Sequence, residues 1–348
     1  MINLKNAKLE SLCVHQVGNK NNGEELLLSQ SSINLNSEKL VKTLHKFFLS
    51  PFNVNELFSF TFSNEDFTMN PMFNYALGVF SMPASLFKNS VDIAKLLYEN
   101  STHPQIKSGN LFVAYFSHVK YEEQLTEAIG IFKAENKQSF ITVEEAQNQF
   151  VLDCDSGFNS RKLDKACLII NANRDNGFHV LATDNLAKSS DAQYWKDSFL
   201  NVKPCNNEYT HTKEFLNLTK TFVVEKLKDE FEIDRADQID MLNRSVEYFK
   251  TNEQLEKDSF VKEVFADDNI IKSFMDFDKE YCVQRDMVID DCFEISPQAV
   301  KKQARFFKSV LKLDNNFHVY IHGNKDMIER GEDEMGRKYY KLFFEEET

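Results

Sequence analysis

A chain of 348 residues exceeds the size at which one hydrophobic core usually stops growing, so two domains are the default. Its 42% hydrophobic and 27% charged content is that of a soluble globular protein and excludes a disordered or fibrous one. The formal net charge of -13 opposes general affinity for nucleic acid, because that affinity comes from Lys and Arg displacing condensed counterions, so any DNA contact has to be local.

Apolar volume is carried by aromatic side chains, with 32 Phe against one Trp, and loops must be built largely without the 10 Gly and 6 Pro. The cysteines Cys13, Cys154, Cys167, Cys205, Cys282 and Cys292 are scattered and form no C-x-x-C pair. This pattern fits neither a zinc ribbon nor a disulfide framework, and they are expected as reduced core residues of a cytosolic protein. Met1 to Glu10 has no long apolar run behind a basic start, and no stretch offers about 18 consecutive apolar residues. Neither secretion nor membrane spanning is expected, which leaves the cytoplasm.

In chain order, Leu9 to Val17 alternates as a strand does, and Gly18 to Gly23 is a polar turn into the apolar run Leu26 to Leu28, together a hairpin. Ser37 precedes Leu40, Val41, Leu44, Phe47 and Phe48 at helical spacing, ended by Ser50-Pro51. A second helix is expected over Ser85 to Asn100, ended by His103-Pro104. Strands follow at Leu111 to Val119, Ala128 to Lys133, Gln149 to Asp153, Ala166 to Asn171 and Phe178 to Thr183, with a hairpin turn at Asp175-Asn176-Gly177. The stretch from Tyr209 to about Met275 reads as helical, and Glu225 to Glu294 holds 21 acidic against 10 basic residues. Alternation returns in Asn316 to Phe344, with Gly323-Asn324 and Gly331 to Gly336 as the turns of a closing hairpin.

These elements predict an α+β protein. An N-terminal antiparallel meandering sheet with flanking helices is followed by a mainly helical region closed by a C-terminal β-hairpin, with domains at residues 1–212 and 213–348. Regular β-helix-β alternation with glycine-rich crossovers is missing, which argues against a doubly wound nucleotide fold.

Catalytic motifs are equally scarce. Neither phosphate-cradling glycine loop nor the G-x-S-x-G nucleophile elbow occurs. His318 and His322 share a strand face but would lie about 13 Å apart, too far to hold one ion. Asp267-Asp268, Asp276-Phe277-Asp278 and Asp290-Asp291 read as solvated helix ends and turns; a metal-dependent nuclease using Asp276, Asp278 and Asp290 is the outside reading. No catalytic residue, cofactor or metal is assigned.

One cluster has a rationale for binding. Lys301, Lys302, Arg305, Lys308 and Lys312 place five positive charges and no negative one in 12 residues, behind a helix start at Ser296-Pro297. On a helix Val300, Ala304, Phe307 and Leu311 form an apolar stripe, and Lys301, Arg305, Lys308 and Lys312 form a basic ridge beside it. Such a ridge can follow DNA phosphates within about one Debye length, ~8 Å, although pairing with the acidic stretch before it competes.

Several whole phrases resemble one known family: Leu12 to Asn19, His103 to Gly109, Ala128 to Lys137, Lys162 to Ile169, Ala192 to Leu200 with the Trp, and Asn316 to Asn324. Together they are similar to the bacterial nucleoid-associated proteins of the NdpA or YejK type over nearly the whole chain. The DNA contact expected through the basic helix is weak or non-specific. The resemblance implies a non-enzymatic protein of the bacterial nucleoid. It also implies the alternative of an adaptor that reaches the nucleoid through a protein partner in DNA topology, such as a type II topoisomerase. The Ile129 to Lys133 phrase is expected as a half-buried strand and the Trp195 phrase as packing.

Overall fold

Strand formation at the N-terminus follows from alternation: β1 (Ile2–Asn3) and β2 (Lys8–Val17) precede β3 (Leu26–Leu27), which pairs back on β2 with Val17 opposite Leu26. In this computed structural model, which describes residues 2–146, 149–185, 194–285, 287–307, 310–313, 316–320 and 327–346, the chain forms two compact units, Met1–Cys205 and Asn206–Thr348.

The first unit is built on one large antiparallel sheet. After β3 come α1 (Glu38–Leu49), β4 (Phe58–Phe60), α2 (Pro71–Ser81) and α3 (Leu86–Asn100). Then follow β5 (Gly109–Tyr121), β6 (Gln124–Ala134), β7 (Lys137–Ala146), β8 (Gln149–Phe158), β9 (Lys165–Ile170), β10 (His179–Asp184) and β11 (Val202–Pro204). The sheet runs β11-β4-β10-β9-β6-β5-β2-β3, with β1 added alongside β5; β7 and β8 form a separate two-stranded ribbon. The β9–β10 turn closes at Gly177, whose φ of 85° is left-handed and open to glycine.

Both faces of this sheet are covered, so its central strands are apolar on both sides. Ile129, Ile131, Cys167 and Ile169 face α2, α3 and the π-helical turn Tyr194–Leu200, while Ala128, Phe132, Leu168 and Ile170 face α1. Phe48 of α1 stacks on Phe132 with ring centroids 4.3 Å apart. The phrase Ile129 to Lys133 is therefore buried throughout, not half-buried as its position in a meander suggested. Trp195 is fully buried and donates its indole N–H to the Ala166 carbonyl at 3.3 Å.

Helix starts obey capping chemistry. Ser37 caps α1 by accepting from the Leu40 N–H, and Asn70 caps α2 through the Met72 and Phe73 N–H groups. The Asn70 amide also donates to the Thr61 and Leu200 carbonyls, so one buried side chain ties α2 to both neighbouring segments. No sequence reading placed α2, because its residues Met72 to Phe80 are apolar on most sides and lack a polar stripe.

The second unit contains α4 (Glu208–Thr221), a π-turn leading to α5 (Leu227–Glu230), α6 (Arg235–Thr251), β12 (Gln254–Glu256), α7 (Lys257–Phe265) and α8 (Asp268–Gln284). Next are β13 (Cys292–Glu294), paired with β12, and α9 (Pro297–Gln303). Two hairpins end the chain: β14 (Val310–Leu313) with β15 (Phe317–Tyr320), and β16 (Ile328–Glu332) with β17 (Lys338–Leu342). The protein is α+β, as its pattern indicated. Among the described residues, no helix is long and apolar enough to cross a membrane.

Two expectations are corrected. The closing hairpin turns at Asp333 to Arg337, with Gly336 at φ 77°, whereas Gly331 lies inside β16 opposite Tyr339; Gly323-Asn324 lies outside the described residues. Cys154 and Cys292 are exposed rather than core residues, while Cys13 and Cys167 are buried.

Buried His15 gives the first unit a pH dependence. Its Nδ1 accepts the Ser29 N–H at 3.2 Å, which leaves the proton on Nε2 to donate to the Ser90 hydroxyl at 2.9 Å. Burial pushes its pKa below the ordinary 6.5, so the unfolded chain takes up the proton first. Stability from this site is complete above about pH 6.5 and is lost as pH falls below it. Urea midpoints measured between pH 7.5 and 5 should fall, and the His15→Gln variant should flatten that slope.

Candidate nucleic-acid interface

Ser296-Pro297 starts α9, because proline suits the first helical turn, and the Ser296 N–H is held by the Thr212 hydroxyl at 3.0 Å. The helix is much shorter than the basic run requires. It ends at Gln303, a single 3-10 turn covers Ala304–Phe306, and Phe307 leaves helical geometry with ψ at 77°. The chain then extends into β14, where Lys312 stands opposite His318.

The reason lies in tertiary pairing. Val300, Phe307 and Leu311 are all buried, as the stripe indicated, but Val300 and Phe307 enter the helical core while Leu311 joins a separate cluster with Ile239. Backbone pairing with β15 satisfies Val310 to Leu313 and outweighs their local helical spacing.

The continuous ridge from Lys301 to Lys312 is thus broken. Lys301, Lys302 and Arg305 lie together on α9 and its 3-10 extension, and all three are exposed. Lys308 and the Lys312 side chain lie outside the described residues. Among the described residues, neither Lys301 nor Arg305 has a carboxylate within ion-pairing distance, whereas Lys302 is already engaged.

Folding adds two groups to this segment. Phe306 is 55% exposed beside Arg305, and Lys220 of α4 places its Nζ 5.8 Å from the centre of the Phe306 ring. Lys220 precedes Arg305 by a whole succession of helices, so no local pattern could have joined them. On the other side, Lys301 lines an open groove of about 870 Å³ with Phe249, Lys250, Glu253, Glu294 and Val300. That rim carries both charge signs, so the cationic surface is concentrated towards Arg305, Phe306 and Lys220.

The carboxylates considered for metal chemistry do not converge. Asp276 and Asp278 point to different sides of α8: Asp276 is exposed with Lys279 at 3.7 Å, while Asp278 is buried and accepts from Lys257 Nζ at 2.8 Å. The same ammonium reaches Asp291 at 2.6 Å. Burial alone would lower the Lys257 pKa, but its hydrogen bonds to Asp278 and Asp291 outweigh that and hold it above the ordinary lysine value. Asp290 is exposed, with His211 Nδ1 at 3.9 Å. His318 is exposed on β15 and His322 lies outside the described residues. Among the described residues, no group of three or more His, Cys, Asp or Glu could hold a metal ion.

Several of the sequence phrases that carry the family likeness meet in the first unit. Lys133 and Lys165 are cross-strand neighbours on β6 and β9, both buried, an arrangement of like charges that needs compensation. Glu135 lies 3.1 Å from Lys133 and Asp184 lies 2.7 Å from Lys165; Lys133 also donates to the Lys107 carbonyl at 2.7 Å. Asp164 accepts the Glu135 and Asn136 N–H groups at 2.6 and 3.1 Å. Burial pushes the Lys133 ammonium below the ordinary lysine range against the pull of Glu135, and burial also raises the hydroxyl of Tyr194, whose ring lies 5.1 Å from Lys165 Nζ. These charges hold the sheet end together and are closed to a polyanion.

An antiparallel sheet covered on both faces, followed by an acidic, mainly helical unit, defines an α+β protein. The family model described as nucleoid-associated protein YejK matches residues 13–335, and the chain belongs to that family. No curated protein matches the chain.

Removing Lys257 should expose the cost of its carboxylate partners. Lys257→Met leaves Asp278 buried without a counterion and is expected to destabilise the second unit by about 3–5 kcal/mol, read from urea unfolding. Lys257→Met combined with Asp278→Leu should recover most of that loss, whereas Asp276→Asn should change little.

Proposed function

We propose that this member of the nucleoid-associated family acts by binding, without catalysis, and meets DNA phosphates through the exposed segment Lys301, Lys302 and Arg305, with Lys220 at its edge. The observation that supports this most is the exposure of those three cations on one short helical segment of an otherwise acidic unit. Lys308 and Lys312 extend the segment in sequence.

The physical reading is a weak, sequence-independent contact. Cations that replace condensed counterions on phosphates gain entropy from counterion release, and the gain depends on how many phosphates are met. Repulsion from the acidic remainder is screened beyond about 8 Å at physiological salt, so a local patch still attracts. Exposed Phe306 offers an apolar face against sugar or base.

A second reading is favoured by the distribution of charge. Glu225 to Glu294 has 21 acidic and 10 basic residues, and carboxylates such as Asp267, Asp268 and Asp290 are exposed. Such a surface suits an adaptor that docks on a basic protein partner, of the kind a type II topoisomerase could present.

Gel-shift titration of duplex DNA against salt separates the two. Direct contact predicts a log–log slope of about -3, reduced by about one for Lys301→Glu or Arg305→Glu and to about -1 in the double variant. A slope near zero, or no change on charge reversal, contradicts direct contact. Recovery of the protein with nucleoid proteins that survives nuclease treatment supports the adaptor, and recovery lost with nuclease contradicts it.

A further inference from the structure

The ribbon of β7 and β8 stands apart from the large sheet and is exposed along almost its entire length. Ten residues per strand make it about 30 Å long. Antiparallel register sorts its side chains cleanly into two faces. One carries Thr142 opposite Asp153, Phe140 opposite Asp155 and Glu144 opposite Val151. The other carries Ile141 opposite Cys154, Val143 opposite Leu152 and Glu145 opposite Phe150, with Lys137 and Phe158 at its base.

That second face is an apolar strip in water. Ile141 is 71% exposed, Val143 62%, Leu152 69% and Phe150 77%. It continues the core: Phe158 packs under α1 with its ring 6.3 Å from Phe112, and the strip runs outward from there. A contiguous exposed apolar patch of this kind marks an interaction site. Its occupant is not a polyanion, because residues 137–158 carry four acidic side chains and one lysine.

We propose that the occupant is a second copy of the same chain, packed strip to strip about a two-fold axis. Charge placement selects the arrangement. The strip is bounded by Lys137 at its base and Glu145 near its tip, both on β7. An axis lying in the interface, perpendicular to the strands and passing through the Ile141–Cys154 pair, sets each β7 against the other. Lys137 of each copy then meets Glu145 of the partner copy, Phe158 meets Phe150, and Ile141 and Cys154 each face their own symmetry mates. A parallel arrangement brings no opposite charges together. The acidic face stays outward and discourages further stacking. Covering both strips removes on the order of 1,000 Å² from water, at the threshold for a specific interface.

Sedimentation of the full chain tests this. The expected result is a dimer that Leu152→Asp converts to monomer, with folding confirmed by circular dichroism since Leu152 is a surface residue. Lys137→Glu or Glu145→Lys alone should weaken association about tenfold or more, and the two together should restore it, a rescue that only a self-complementary contact gives. A short bis-maleimide should link the copies through Cys154, with linking lost in Cys154→Ser and kept in Cys292→Ser. A chain that stays monomeric at its highest soluble concentration overturns the proposal. So does a dimer that is indifferent to Leu152→Asp and the charge reversals, or that links through Cys292.

Discussion

The cost of an unpaired buried charge governs which cations of this chain remain available. Lys133, Lys165 and Lys257 are all buried, and each lies against a carboxylate: Glu135, Asp184, and both Asp278 and Asp291. The Lys257 clamp reaches furthest. It joins the start of α7, the inner side of α8 and the chain just before β13, and its own N–H also bonds the Asp291 carbonyl. Because α9 begins three residues after β13, that clamp sets the platform on which Lys301, Lys302 and Arg305 are displayed. The same contact occupies Asp278, one of the three carboxylates, with Asp276 and Asp290, that the metal-dependent nuclease reading used.

Surface charge then divides the labour. The net charge opposes a polyanion over the chain as a whole, while Lys301, Lys302 and Arg305 are exposed on α9 and its 3-10 extension and Lys220 of α4 lies beside Phe306. The ribbon of β7 and β8 follows the opposite logic: its charges sit at the two ends of an apolar strip and on the reverse face, where they define direction. Cation segment and ribbon belong to different units, so each can be altered without touching the other's core.

Much of the fold was legible where one physical signal dominated. Leu9 to Val17 alternated, Ser37 capped a helical stripe, and Asp175-Asn176-Gly177 marked a hairpin, and each of these elements formed as read. Legibility failed where patterning was uniform or where distant pairing overruled it. The α2 helix has no polar stripe to mark its period, and β7 has no buried face on which alternation could be recognised as core. The basic run failed for a different reason. Val300, Phe307 and Leu311 were correctly identified as buried, yet spacing alone could not distinguish one helix into one core from a helix and a strand into two. Lys220 was invisible for a related reason, since its place beside Phe306 exists only after α4 packs on α9.

Lysine reactivity footprinting by acetylation and mass spectrometry, with and without duplex DNA at low salt, tests most directly whether the α9 segment is where this protein meets DNA. Buried Lys133 and Lys257 and exposed Lys39 and Lys42 of α1 serve as internal references. DNA should slow modification of Lys301 and Lys302, and of Lys220 to a smaller degree, while leaving Lys39 and Lys42 unchanged. Equal reactivity of Lys301 and Lys302 with and without DNA, or protection centred on α1, would contradict it.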